Sequence, residues 1–183
     1  ERALGPKTRF EFTGLMQRSY VDYASGFDDG TDEALFSQHN ESGESIARGV
    51  VRYTLSPTWS VEGGGEAAFN FLDSAVDYVE NGAPVVLPAA NVRVEERRGE
   101  VFGSSTWRLS PTLSVEGGLR VEVSTISQTG DTELERSFTY LKPRLAVTWS
   151  PTPVDQLRLG VEREVGQLDF CDFVSSGAFS AGS

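Results

Sequence analysis

The sequence predicts an all-β chain, an antiparallel up-and-down transmembrane β-barrel segment of about seven long strands with tight turns at one rim and long loops at the other. Three observations carry this. The first is period-two alternation: in LSVEGGLRVEVST, Val115, Gly117, Leu119, Val121 and Val123 fall on one face, and Glu116, Gly118, Arg120 and Glu122 on the other. That is a strand with one apolar and one wet side. The second is length. The alternating runs last roughly 11–19 residues against about 5–6 for an ordinary strand, whereas a barrel strand needs about 9–11 to cross a membrane. The third is the placing of the aromatic residues. Ser-Pro-Thr occurs three times, at 56–58, 110–112 and 150–152, and Trp59, Trp107 and Trp149 each sit beside one of these turns, with Tyr53 close by. Rings with a polar edge are favoured at the membrane–water boundary, so these four residues are read as an interface girdle.

Taken in order, the first strand is expected near 7–20, where Phe10, Phe12, Gly14 and Met16 alternate with Arg9, Glu11 and Thr13. Residues 20–45 break the pattern and read as a long acidic loop. Its carboxylates Asp28, Asp29, Asp32 and Glu33 are the candidate ligand contacts. Strands follow near 45–55 and 59–72, joined by the first Ser-Pro-Thr turn. Residues 73–90, with Asn81-Gly82 and two prolines, read as a second long loop. Strands near 91–109 and 113–127 flank the second turn, and a shorter polar loop spans 128–132. The sixth strand, 134–149, contains Pro143, which cannot donate to a ladder and marks a bulge or an edge. The seventh is expected near 157–170. Residues 171–183 are small and polar and read as a loop or frayed end.

A chain of 183 residues has room for one domain, taken here as residues 1–183. The formal net charge of −11 argues against nucleic acid as a partner, since phosphate binding needs a basic surface. The single cysteine, Cys171, permits neither an internal disulfide nor a cysteine-based zinc site. No run reaches the roughly 18 apolar residues of a membrane helix, which excludes helical spanning only.

Local motifs resolve into strand features. Gly63-Gly64-Gly65-Glu66-Ala67-Ala68 fits G-x-G-x-x-A, but strand pattern continues through it where a dinucleotide site needs a helix. Gly43-Glu44-Ser45-Ile46-Ala47 only half matches a nucleophile elbow, and His39 is the only imidazole. The acidic loop lacks the spacing of a calcium loop. Neither catalysis nor a cofactor or metal is expected. The charges Glu62, Glu66, Arg120, Glu122, Arg144, Arg158 and Glu162 share the wet face and are expected to line a lumen.

Alternation alone would also suit a soluble or surface-exposed β-sandwich that binds carbohydrate, or a complete small outer-membrane barrel with a structural or adhesive role. Run length and the tryptophan row favour the membrane barrel. An odd strand count, against the even counts of single-chain bacterial barrels, favours a segment of a larger one.

The Ser-Pro-Thr hairpins, and above all LRLGVEREVGQLDFCDFVSSGAFSAG at 157–182, resemble the barrel of TonB-dependent outer-membrane receptors, with Cys171 where glycine is expected. The closest textual match lies within 141–176. The resemblance implies an outer-membrane location and ligand-gated import of a scarce ligand (ferric siderophore, cobalamin or glycan) through a barrel of about 22 strands. It also implies contact with outer-membrane lipid, an N-terminal plug, and a TonB complex engaged through an N-terminal part. Neither plug nor TonB-contacting box is found in these residues.

Overall fold

The computed structural model describes residues 1–88, 90–131 and 133–165. They form one antiparallel sheet: β1 (Arg2–Ala3), β2 (Thr8–Asp28), β3 (Glu33–Ser56), β4 (Trp59–Glu80), β5 (Ala83–Val85), β6 (Asn91–Ser110), β7 (Leu113–Gly130), β8 (Leu134–Trp149) and β9 (Leu157–Glu162). The order is β1-β2-β3-β4-β6-β7-β8-β9, with the short β5 folded back on β4. Each long strand therefore pairs with the next long strand in sequence, as in an up-and-down meander. The sheet curves but is not closed.

The strands are longer than the alternation suggested. Residues 20–45 are not a loop: β2 runs to Asp28 and β3 starts at Glu33, with unbroken pairing from Tyr20↔Glu41 to Asp28↔Glu33. Residues 73–90 are likewise strand as far as Glu80, followed by an Asn81-Gly82 turn and β5. Here φ is 49° at Asn81 and 76° at Gly82, the left-handed conformation that Asn-Gly supplies at low cost. The third connection shrinks to 131–133. The physical reason is common to all three. Apolar alternation reports a greasy face, whereas the backbone ladder needs none and continues once both faces are wet. The seventh strand departs the other way: β9 ends at Glu162, and residues 166–183, including Cys171 and the expected frayed end, lie outside the described residues.

The three Ser-Pro-Thr turns join β3 to β4, β6 to β7 and β8 to β9, so they lie together at one rim. In the first two, the Thr58 and Thr112 N–H groups donate to Ser56 Oγ (3.3 Å) and Ser110 Oγ (3.2 Å). The serine thus closes a local turn around a proline whose φ is already set. Pro143 marks an edge. The β8–β9 ladder ends at Arg144↔Glu162, and the Pro143 carbonyl accepts from Arg163 N–H (3.1 Å) just beyond it. The missing donor thus faces the side where pairing stops.

Cross-strand pairs share a face, so the register sorts every side chain. One face carries Val51, Val101, Leu119, Val123 and Leu145, all exposed. The other carries all ten buried residues of the described chain, from Val50 and Ala68 to Glu100, Glu122 and Ser124. In a single layer with nothing packed on it, one-sided burial comes from curvature, so the second face is concave. On the convex face the apolar rows run from the Trp59↔Trp107 pair to the Phe69↔Arg97 pair. Those ten residue steps along β6 span about 23 Å at a tilt near 45°, close to the ~25 Å apolar band of a membrane barrel.

The Gly63-Gly64-Gly65 run has a packing role. A Cβ on Gly64 would lie 2.7 Å from Phe102 Cζ and overlap the Gly49 carbonyl oxygen. Phe102 lies over this gap on the concave face, and the backbone contact cannot move aside. Gly64→Val is expected to destabilise the sheet by about 1–3 kcal/mol, the usual cost of overpacking, read as a lower denaturant midpoint in lipid vesicles. Val121, paired with Val101 and Leu141, sits near the middle of the convex band. Val121→Arg should therefore cost about 2–4 kcal/mol in vesicle folding by placing a charge in lipid, and Arg120→Val on the opposite face about 3 kcal/mol by leaving the buried Glu100 carboxylate unpaired.

Candidate functional site: the concave wall

The concave face is built from the even-numbered side chains of β3, β4, β6, β7, β8 and β9 and the odd-numbered ones of β2. Its half nearer the Ser-Pro-Thr rim is a belt of cross-strand ion pairs. Arg52 joins Glu62 (2.6 Å) and Glu11 (3.2 Å), tying three strands together. Glu66 is shared by Arg48 and Arg98, both at 3.3 Å. Arg120 meets Glu100 at 3.2 Å, Lys142 meets Glu122 at 2.8 Å, and Arg144 contacts Glu116, which also faces Arg158 at 3.7 Å. The Phe102 ring is sandwiched by the guanidinium carbons of Arg48 (4.6 Å) and Arg120 (5.3 Å). Charges held this way satisfy one another across strands, so the belt tolerates a setting from which water is partly removed.

Further from that rim the wall changes. A cluster of Val92, Val94 and Ile126 packs with Phe138, and Val94 is fully buried. Around it, Glu96 accepts from Asn70 Nδ2 (3.1 Å) and Ser124 Oγ (2.8 Å), and Gln38 Nε2 donates to Asn40 Oδ1 (3.2 Å). Asn70 Oδ1 and Arg98 Nη1 are buried with no hydrogen-bond partner among the described residues.

The seven charges read from the sequence, Glu62, Glu66, Arg120, Glu122, Arg144, Arg158 and Glu162, all fall on the concave face. Sequence reading missed Glu11, Arg48, Arg98, Glu100 and Lys142 as members of the belt. The signal was there for Arg98 and Glu100: counting by twos from Trp107 puts both on the wet face. It was masked by Glu95-Glu96-Arg97-Arg98, where adjacent charges split between the two faces.

On the convex face Trp59 and Trp107 pair directly, with ring centroids 6.4 Å apart, and Trp59 Nε1 donates to Ser105 Oγ (2.8 Å). Trp149 pairs with Leu113 and Leu157 one row nearer the turns, and Tyr53 pairs with Val61 one row further from them. All four are exposed. Past the far edge of the apolar band the convex face becomes a charged collar. There Arg93 bridges Asp73 (2.5 Å) and Glu95 (2.7 Å) and, with Arg18, stacks on Phe71.

The carboxylates Asp28, Asp29, Asp32 and Glu33 shape a turn. Asp28 Oδ1 accepts from Gly30 N–H (2.8 Å), and Asp29 Oδ1 accepts from Asp32 N–H (2.9 Å) and Thr31 N–H (3.0 Å). Those backbone donors, Asp32 first, hold the Asp29 carboxyl below its ordinary 3.8. Among the described residues no group of three metal-ligating side chains comes together.

A curved, single-layer meander with an apolar band outside, tryptophans at its lower edge and paired charges inside is the wall of an outer-membrane β-barrel. The profile of the family described as TonB dependent receptor-like, beta-barrel matches residues 6–165. The chain belongs to this family of outer-membrane receptor barrels. Among solved structures it is similar to the ferric citrate transporter FecA in its unliganded form (TM-score 0.65, 14% identity, covering 87% of this chain and 25% of that one). It is similar also to the ferric yersiniabactin uptake receptor FyuA from Yersinia pestis (0.62, 13%, 84% and 25%). A third is the siderophore receptor PiuA from Acinetobacter baumannii (0.60, 12%, 81% and 28%). The chain thus spans about a quarter of the length of these proteins, and at such identities the likeness is one of fold. No curated protein matches the chain.

The Lys142–Glu122 pair offers a direct test of the belt, since both side chains are largely buried, at 17% and 8% exposure. Lys142→Met leaves a buried carboxylate unpaired and should cost about 3 kcal/mol, whereas Lys142→Met with Glu122→Leu should recover most of it. Denaturant unfolding in lipid vesicles compares the single and double variants.

Proposed function

We propose that this sheet is a sector of the barrel wall of a TonB-dependent importer, which carries a scarce ligand such as a ferric siderophore, a cobalamin or a glycan across the outer membrane. The observation that carries this reading is the opposition of faces: an apolar band of membrane height outside and a self-paired charged belt inside. Trp59, Trp107, Trp149 and Tyr53 act as the lower interface anchors, and the convex rows contact lipid. Glu62, Glu66, Arg120, Glu122, Arg144, Arg158 and Glu162 face the lumen. The turn of Asp28, Asp29, Asp32 and Glu33 stands at the ligand-entry rim, where Glu33 carries the one carboxylate of the four without a hydrogen-bond partner among the described residues. Energy comes from the TonB complex through an N-terminal part of the receptor. The wall performs no catalysis and binds no cofactor. The names of the similar structures, a ferric citrate transporter and a ferric yersiniabactin uptake receptor, support an import role.

The test is growth of the source bacterium on limiting iron, cobalamin or glycan. Loss of the full-length receptor gene should slow growth on one of these nutrients, and loss of TonB should reproduce the defect. Equal growth of the receptor-deficient strain on all three would sink the import reading.

A further inference from the structure

The concave face changes its chemistry abruptly with height. Its cations end at the row Glu44–Asn70–Glu96–Ile126–Arg136. In every row beyond this one, from Ser42–Leu72–Val94 to the end of the hairpins, the concave face carries no lysine or arginine among the described residues, and its one carboxylate is Glu80. What stands there is aliphatic, aromatic and neutral polar, with the aromatic and amide groups toward the hairpin ends. The rings of Tyr23 and Phe36 lie 6.1 Å apart, tilted by 60°, Tyr78 follows on β4, and Gln38, Asn40 and Ser74 make a small amide–hydroxyl chain.

From this we infer, building on the import reading above, that the outer half of this wall takes an uncharged, hydroxyl-rich ligand, an oligosaccharide, rather than an anionic ferric chelate. An anion entering along this wall would find no cation to replace its hydration and would pass Glu80 and the acidic turn at Asp29 and Asp32 on the way. A sugar finds what it needs: aromatic faces for its C–H surfaces and amides and hydroxyls for its O–H groups.

The experiment is calorimetric titration of the purified full-length receptor with a panel of neutral gluco- and xylo-oligosaccharides and, separately, with ferric citrate. The expected result is binding of at least one oligosaccharide and none of ferric citrate, with Gln38→Leu weakening the sugar by about tenfold or more. Tyr23→Ala, at an exposed ring whose loss leaves the sheet intact, should weaken it as well. Binding of ferric citrate, binding of no oligosaccharide, or sugar binding indifferent to both variants overturns the inference. Uptake of the bound sugar by cells, with and without a proton-motive force, separates the two readings. Sugar binding without energy-dependent uptake counts against import and for this ligand class, while energy-dependent uptake of ferric citrate does the reverse.

Discussion

Lipid offers no hydrogen bond, so every backbone N–H and C=O crossing the apolar band has to find its partner in the next strand. The rest of the structure follows from that constraint. It demands long, unbroken registers, and from Thr8↔Tyr53 to Asp28↔Glu33 the β2–β3 pairing has no bulge at all. The two irregularities that the described ladders contain, between Thr54 and Ser56 and between Arg108 and Ser110, both fall at the Ser-Pro-Thr rim, beside the tryptophans. Pro143 obeys the same constraint by turning its missing donor toward the side where β9 stops.

With the backbone satisfied, the two faces are free to answer different solvents. The convex face needs no shape complementarity, and its rows mix Gly103, Leu119 and Pro143 without interlocking. The concave face does, because curvature brings its side chains together. That is why the close packing sits there: Phe102 over Gly64 between two arginines, Glu122 against Lys142, Val94 among Val92 and Ile126. A residue's parity thus decides whether a substitution is felt as transfer into lipid or as strain in packing.

This division also explains what was legible in the sequence. Where one face is apolar and the other charged, as in Val115–Val123, alternation gave the strand, its face and its neighbours. Where both faces are polar, as in Asp22, His39 and Glu41 on the convex side with Ser42 and Asn40 on the concave one, the pattern vanishes although the ladder does not. Most of 20–45, and 73–90 as far as Glu80, are strand for that reason. The ion pairs were legible only as a set. Parity placed Arg120 on the wet face, but its partner is Glu100 on the preceding strand, and finding it requires the register of β6 against β7, which no local pattern encodes.

The continuation of strand beyond the apolar band has a mechanical consequence. At the far rim Asn81 behaves as an extra ladder residue: its N–H donates to the Glu33 carbonyl (2.7 Å), and its side-chain oxygen accepts from Glu33 N–H (2.8 Å). Its side-chain amide also reaches Asp32 Oδ1 at 3.2 Å. The tips of the β2–β3 and β4–β5 hairpins are thereby fastened to each other outside the band, where water competes for every such bond. A strand fixed by its ladder has few backbone conformations left, whereas a loop of the same length has many. The part of the wall that stands beyond the membrane is therefore a three-stranded blade that keeps its shape, and the residues on its concave side, Tyr23, Phe36 and Gln38 among them, are held at fixed spacing by the same register that crosses the bilayer.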